Sequence, residues 1–417
     1  MKNNIKFKSN SCMISRKYLL RIAIVVASAS FALLCSELVL QLKNYPEDIG
    51  YGWPSVPFPE WVKKPGPDEF VIAFVGDSQV EGSDDAEKSP TEYLQNELNS
   101  ITLLDSSLPR YKFKVFAIAS GGWGQDQQLL TLKNYFSENH ADMVVLWETP
   151  DNDHWNNAFP THWPVNGTPK PTFILRDDLL VGPVSRSEII PWWTQSKIGL
   201  LATLFCVKIA SVNKESKAGE CFLFDPDGKW EKKYLPPTAR HDSHKNDIFD
   251  QVDFETINPY MADDPISLEK SHFALAMSPS SERIAYMVKL TNRLLLEIQK
   301  LSRANNAGFL AFSFNPDNTE QPVYPPDGYY SHPGYYRKLP MAFQISRAAR
   351  NQRLKEINNK VNYYEIPLVA KHWRRNMVTK DGRVLDLDPH LSDEMNRDVL
   401  HVVAQIVISN IKQSRDK

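Results

Sequence analysis

The sequence predicts an α/β fold with a central parallel sheet, and three observations lead there. First, apolar runs such as FVIAFVG (residues 70–76) and MVVLW (143–147) end abruptly in polar or glycine turns, as buried strands do. Second, stretches with helical spacing separate these runs. Third, strand and helix alternate along the chain, the pattern of parallel strands joined by crossover helices.

The elements follow in order. Phe70–Gly76 is the first strand, and Ser89-Pro90 with Glu92 opens a helix to about Asn99 through a serine cap, a proline in the first turn and a capping acid. KFKVFAIA (112–119) is the second strand, Gln125 to about Asn139 the second helix and MVVLWET (143–149) the third strand. The alternation lapses between about 155 and 279, a polar, aromatic and proline-bearing stretch that reads as a large insertion. It resumes with an amphipathic helix over about 281–305, capped by serine and acid, and a fourth strand, GFLAFSFN (308–315). A helix near 342–360, a fifth strand in VNYYEIPLV (361–369) and a final helix over about 393–412 complete the pattern. The predicted organisation is a tail (1–17), an apolar anchor (18–42), a proline-rich linker (43–69) and an α/β domain over 70–412 that carries the insertion.

The anchor is Tyr18 to Leu42, interrupted only by Arg21, Glu37 and Gln41. Its uncharged stretch from Ile22 to Ser36 rises only ~22 Å as a helix, so crossing a ~30 Å hydrocarbon core recruits Leu19, Leu20 and Leu38–Leu42, with Arg21 snorkelling. Lys2, Lys6, Lys8, Arg16, Lys17 and Arg21 come before any acid, so the positive-inside rule keeps the N-terminus cytoplasmic. The expected location is therefore a bacterial-type inner membrane, crossed once, with the body in the periplasm or outside. A cleaved signal peptide, with Ala27-Ser28-Ala29 as its processing site, is the rival reading. The body beyond the anchor is mildly acidic, which argues against a nucleic-acid partner. Of four cysteines, Cys206 and Cys221 fall in the body, as a disulfide or as two buried thiols.

Gly76-Asp77-Ser78 stands where the first strand ends, the place where ligands meet an open α/β sheet. A serine there can project its hydroxyl into a crevice while its backbone N–H contributes to an oxyanion hole; the same tripeptide is also an ordinary turn. Three further segments sit at later strand ends or near the C-terminus: ASGGWGQDQ (119–127), PDNDHWNN (150–157) and DLDPHLSDEMNRDVLHVVA (386–404). Together with FVGDSQVEG (74–82) they resemble, in order, the four blocks of the SGNH (GDSL-like) hydrolase family, over about 70–150 and 283–412.

That resemblance implies a three-layer, flavodoxin-like sheet fold and a serine-dependent acyl-ester enzyme. It makes Ser78 the nucleophile and His390 the base, with Gly122 and Asn152 joining Ser78 in the oxyanion hole. The family's acid stands three residues before the histidine, where this chain has Leu387, so Asp388 is favoured as the acid and Asp386 held in reserve. The asparagine block lacks its leading glycines and reads Thr149-Pro150-Asp151, which leaves Asn156 or Asn157 as alternatives to Asn152. The chemistry needs no cofactor and no metal: a base takes the serine proton, the acid fixes the imidazole tautomer, and three donors hold the oxyanion. No Gly-x-Ser-x-Gly elbow occurs, against an α/β-hydrolase.

His241, His244 and Asp247 lack metal-ligand spacing and read as a loop. Trp123, Trp147, Trp155, Trp163, Trp192 and Trp193 crowd the region after the glycine block, and flat rings near the site, Trp123 and Trp155 foremost, are candidates to contact substrate. Tyr329, Tyr330, Tyr335 and Tyr336 are weaker candidates of the same kind. The expected substrate is an O-acylated, foremost O-acetylated, carbohydrate or other small envelope ester. Two alternatives stand beside hydrolysis: an O-acetyltransferase of polysaccharide modification, supplied by a membrane acyl-donor partner, and a non-catalytic glycan-binding module.

Overall fold

The structure, a computed structural model, describes residues 16–43, 56, 58–82, 88–105, 111–161, 170–189, 196–212, 226–236, 274–278, 280–316, 344–345, 347–368, 377–378, 384–385 and 390–415. The chain divides into two compact units, residues 1–49 with 191–222 and residues 50–190 with 223–417.

The larger unit is built on five strands: β1 (Glu69–Gly76), β2 (Lys112–Ala119), β3 (Met143–Trp147), β4 (Gly308–Pro316) and β5 (Tyr363–Leu368). All pair in parallel, in the order β2-β1-β3-β4-β5. The helices that position the site are α1 (Ser78–Glu81), α2 (Pro90–Leu104), α3 (Gln125–Phe136), α4 (Pro150–Ala158), α5 (Glu282–Ala304), α6 (Arg347–Ile357) and α7 (Asp393–Arg415); the short helices Arg186–Ile189 and Pro226–Tyr234 belong to the same unit. Helices cover both faces of the sheet. Val71, Ala73 and Val75 of β1 pack with Leu129 and Leu132 of α3, Leu290 and Leu294 of α5 and Leu354 of α6. Ile72 and Phe74 point the other way, onto Leu94 and Leu98 of α2 and Val399, Val403 and Val407 of α7. A strand buried on both faces has no use for alternation, which is why β1 and β3 read as unbroken apolar runs.

The expected element boundaries recur here with local causes. Ser89 and Glu92 form a reciprocal capping box: Glu92 N–H donates to Ser89 Oγ (3.3 Å) and Ser89 N–H to Glu92 Oε2 (2.9 Å). Ser281 caps α5 by accepting from Ile284 N–H at 3.1 Å. Of the helices that were not foreseen, two have clear local causes. Helix α4 forms from the polar run PDNDHWNNA because Pro150 fits the first turn, His154 Nδ1 pairs with Pro150 O (2.7 Å), and Trp155 and Ala158 pack into the core. It runs across the start expected for the insertion, and its last turn accepts the indole N–H of Trp230 at Ala158 O (2.8 Å).

The second is the helix Lys197–Val212 (KIGLLATLFCVKIASV) of the smaller unit. Apolar residues occupy most of its circumference, and the polar stripe of Lys197, Lys208 and Ser211 is too narrow to give a strong amphipathic period. Its partner in that unit is the N-terminal helix Arg16–Leu42, whose 23 residues from Leu20 to Leu42 would measure ~34 Å, long and apolar enough to cross a membrane. Glu37 of the N-terminal helix accepts the N–H groups of Lys197 (2.8 Å) and Ile198 (2.9 Å), and Ser196 Oγ accepts that of Gly199 (3.0 Å). The first-turn donors of the Lys197 helix are thereby satisfied. Cys206 on this helix is disulfide-bonded and Cys35 is free; Cys12 and Cys221 lie outside the described residues.

Gly76 supplies a direct test of the packing at the end of β1. A Cβ there would stand 2.4 Å from Val80 Cγ2 and 3.2 Å from Trp147 O, and the backbone oxygen cannot swing aside. Gly76→Ala is predicted to destabilise the protein by about 1–3 kcal/mol, read as a lower urea midpoint in detergent solution.

Candidate active site

In the order β2-β1-β3-β4-β5 the chain leaves β1 for one side and later returns to its other side, so the carboxyl ends of β1 and β3 form a topological switch point, where open sheets of this kind bind ligands. At the end of β1 each residue of Gly76-Asp77-Ser78 has a distinct position. Gly76 allows α1 to fold back closely on the strand. Asp77, 1% exposed, caps α1 by accepting from Gln79 N–H at 2.9 Å, and its carbonyl receives the N–H groups of Val80 (3.1 Å) and Glu81 (3.0 Å). Ser78 takes the first helical position, and its carbonyl accepts from Gly82 N–H (3.1 Å). Its side chain is partly exposed and, among the described residues, its hydroxyl has no hydrogen-bond partner.

The glycine loop after β2 lies against this turn. A Cβ on Gly121 would be 3.9 Å from Ser78 Cβ and 3.3 Å from Glu81 Oε2, so the loop approaches the serine through a residue with no side chain. Trp123 N–H donates to Ser120 O at 3.1 Å, closing a four-residue turn. Gly122 is the third residue of that turn, with φ +71°, the left-handed region in which glycine carries no steric penalty. On its other side the loop abuts α4: a Cβ on Gly124 would be 2.5 Å from Asn157 Oδ1 and 3.2 Å from Asn157 N.

Beneath these loops lies a buried polar network that the sequence reading missed. Asp153 is fully buried and accepts from Thr149 N–H (2.9 Å) and from the side-chain amide of Gln125. Asn157, also fully buried, donates to Gln125 Oε1 (2.6 Å) and Thr291 Oγ1 (3.0 Å), while its Oδ1 receives Asp126 N–H (3.3 Å). Asp126 pairs with Lys170, both side chains wholly shielded from solvent. Burial raises the Asp126 carboxyl above its ordinary range, with the Lys170 ammonium opposing the shift. Asp153 is raised well above the carboxylate range by burial first, then by the charges of Asp77 and Glu148. A neutral acid at Asp153 is how carboxyls clustered at the ends of β1 and β3 coexist. Burial first, and then the charge of Glu148, also raise the Tyr363 phenol, which donates to Ser313 Oγ at 2.5 Å. The run Gln125, Asp126, Gln127, Gln128 is completely buried although its composition reads as surface.

The remaining expected site residues are placed as follows. Asn152 lies in the first turn of α4, at the end of β3; its side chain is outside the description. Asn157 is committed to the network, while Asn156 is buried with its amide unpaired among the described residues. His390 is half-buried just before α7 and is not hydrogen-bonded to Ser78. Leu391 beside it joins Val80, two residues beyond Ser78, in the core cluster on the α2/α7 face of the sheet. Asp386 and Asp388 lie outside the described residues, as do His241, His244, Asp247, Trp163, Trp192, Trp193 and Tyr329, Tyr330, Tyr335 and Tyr336. Trp123 and Trp155 were expected to offer ring faces to substrate. They sit instead in the apolar core on the α3/α5 face, 0% and 3% exposed, where aromatic burial and not ligand stacking accounts for them. Among the described residues no group of three His, Cys, Asp or Glu side chains could hold a metal ion.

The Asp153 carboxyl gives a pH signature. Unfolded, it titrates near the ordinary value of about 3.9; folded, it holds its proton to much higher pH. Its contribution to stability is therefore complete below about pH 4 and is lost as pH rises toward the folded value. Asp153→Asn keeps the shape and a carbonyl acceptor without the titration. Its urea midpoint is predicted to gain on that of the parent protein between pH 5 and 8, conditions on the order of one to four pH units above the free-acid value; a difference independent of pH would contradict the neutral-acid assignment. No family model and no curated protein sequence matches the chain, so the reading of this site rests on its own residues.

Proposed function

We propose that the chain is an SGNH-type (GDSL-like) serine ester hydrolase held to a membrane by its N-terminal helix, acting on O-acylated, foremost O-acetylated, carbohydrate or related envelope esters. One observation carries the reading. In the turn after β1, Gly76 and Asp77 are consumed by the backbone, whereas Ser78 is a partly exposed residue at the switch point whose hydroxyl has no hydrogen-bond partner among the described residues, with the glycine loop against it. A serine serving only the turn would spend its hydroxyl there.

In the proposed reaction His390 accepts the Ser78 proton as Oγ attacks the ester carbonyl, forming a C–O bond and a tetrahedral oxyanion. Backbone N–H groups of Ser78 and Gly122 and the Asn152 amide hold that charge. Collapse breaks the bond to the alcohol, which leaves with the proton from His390; water then repeats the sequence on the acyl-serine and releases the acid. Asp388, two residues before His390, orients the imidazole, with Asp386 in reserve. The hydrogen bond from Ser78 to His390 belongs to the substrate complex, since catalytic hydrogen bonds lengthen or open in the free enzyme. The six basic residues at the N-terminus support a body on the far side of the membrane, and a disulfide at Cys206 suits that oxidising side.

Two kinetic outcomes follow for a short-chain acyl ester. Ser78→Ala is predicted to lower kcat by about 10³-fold or more, the scale set by loss of a nucleophile; retained turnover removes Ser78 from the mechanism. Asn152→Ala is predicted to lower kcat by about 10²-fold to 10³-fold with KM little changed, because an oxyanion donor acts on the transition state. An equal loss through KM alone would make Asn152 a ground-state binding residue.

A further inference from the structure

We infer that the helix Lys197–Val212 is a second membrane element, entering the bilayer beside the N-terminal helix and returning to the side from which it came. The inference rests on the anchor part of the proposed function and is independent of the chemistry at Ser78. Three observations carry it. The helix reads KIGLLATLFCVKIASV, charged only at Lys197 and Lys208, and Phe205 on it is 66% exposed, a surface that water disfavours and hydrocarbon accepts. Its N-terminus is fixed to Glu37, which lies inside the apolar span, five residues before Leu42 and so ~8 Å from the end of that span.

The third observation is topological. Residues before and after the smaller unit's second segment belong to the other unit, whose five-stranded sheet takes β1, β2 and β3 from before it and β4 and β5 from after it. The chain must then enter and leave on one side of the membrane. Sixteen residues rise ~24 Å, short of the ~30 Å core, so the helix neither spans nor crosses and returns. It dips into the bilayer or lies in its interface.

Glu37 gains a purpose on this account. A carboxylate in an apolar span is costly unless donors surround it. Here its oxygens take two backbone N–H groups and the amide of Gln41 (2.8 Å), and the N-terminus of the Lys197 helix adds a favourable dipole. Glu37 thus works as a clasp between two lipid-facing helices.

Photocrosslinking in the full-length protein tests the inference. p-Benzoylphenylalanine is placed at position 205, at position 31, where Phe31 is 70% exposed on the N-terminal helix, or at position 103, where Leu103 is 86% exposed on α2. Each protein is reconstituted into phosphatidylethanolamine/phosphatidylglycerol vesicles, irradiated and read by mass spectrometry. Lipid adducts at 31 and 205 with none at 103 are expected. Adducts at 31 but not at 205, a crosslink from 205 to a second copy of the chain in place of lipid, or labelling at 103 equal to that at 205 would each overturn the second element while leaving the anchor standing. Absence of lipid adducts at both 31 and 205 would overturn the anchor along with it.

Discussion

Between the ends of β1 and β3 the fold buries carboxyls, amides and an ammonium away from water, and the charged groups among them must be neutralised or paired inside the protein. Asp153 stands at the centre of this constraint. It accepts from Thr149 at the end of β3 and from Gln125 at the start of α3, while Gln125 and Asp126 are in turn bound to Asn157 of α4. Because a buried charge without a partner costs several kcal/mol, roughly 3–5 when one member of a pair is removed, the Asp126–Lys170 pair and the neutral Asp153 leave the three loops little freedom to move apart. The apolar packing on either face of the sheet holds the strands; this network sets where their loops end.

The position of Ser78 follows from that. The glycine loop is fastened on one side to α4, through the close approach of Gly124 to Asn157, and on the other it meets the serine through Gly121. A side chain at Gly124 would push the loop from α4 by the clash given above, and Gly122, between Gly121 and Gly124, holds a positive φ. Preorganisation of this kind is what transition-state stabilisation requires: donors fixed before the charge develops need no rearrangement when it does. The proposed use of Ser78 and Gly122 thus draws on rigidity that originates several ångströms below them.

Much of the framework was legible in the sequence because its signals are local. Unbroken apolar runs marked the central strands, and Ser89 with Glu92 announced α2 through a capping box that forms as written. What escaped has a physical reason in each case. Helix α4 is made of residues that favour turns, and its stability comes from burial of Trp155 and Ala158, which only the tertiary fold supplies. The Lys197 helix has only a narrow polar stripe, Lys197, Lys208 and Ser211 within about 60° of one another, and so a weak period to detect. Gln125 through Gln128 look like solvent-facing residues, and for Gln125 and Asp126 hydrogen bonding with α4, which no local pattern announces, accounts for the burial. Trp123 and Trp155 misled in the opposite sense: placed in polar sequence, they suggested contact with a ligand, whereas their rings fill the core directly under the loops that surround the serine.

The central claim is that a fold built to hold three strand ends rigidly presents Ser78 as an activated nucleophile. Incubating the full-length protein with a fluorophosphonate and mapping the adduct by peptide mass spectrometry tests this most directly, because only a serine with a working base and oxyanion hole reacts readily with such a reagent. The account predicts one stoichiometric adduct, on Ser78. An unmodified Ser78, or an adduct on a different serine, would contradict it.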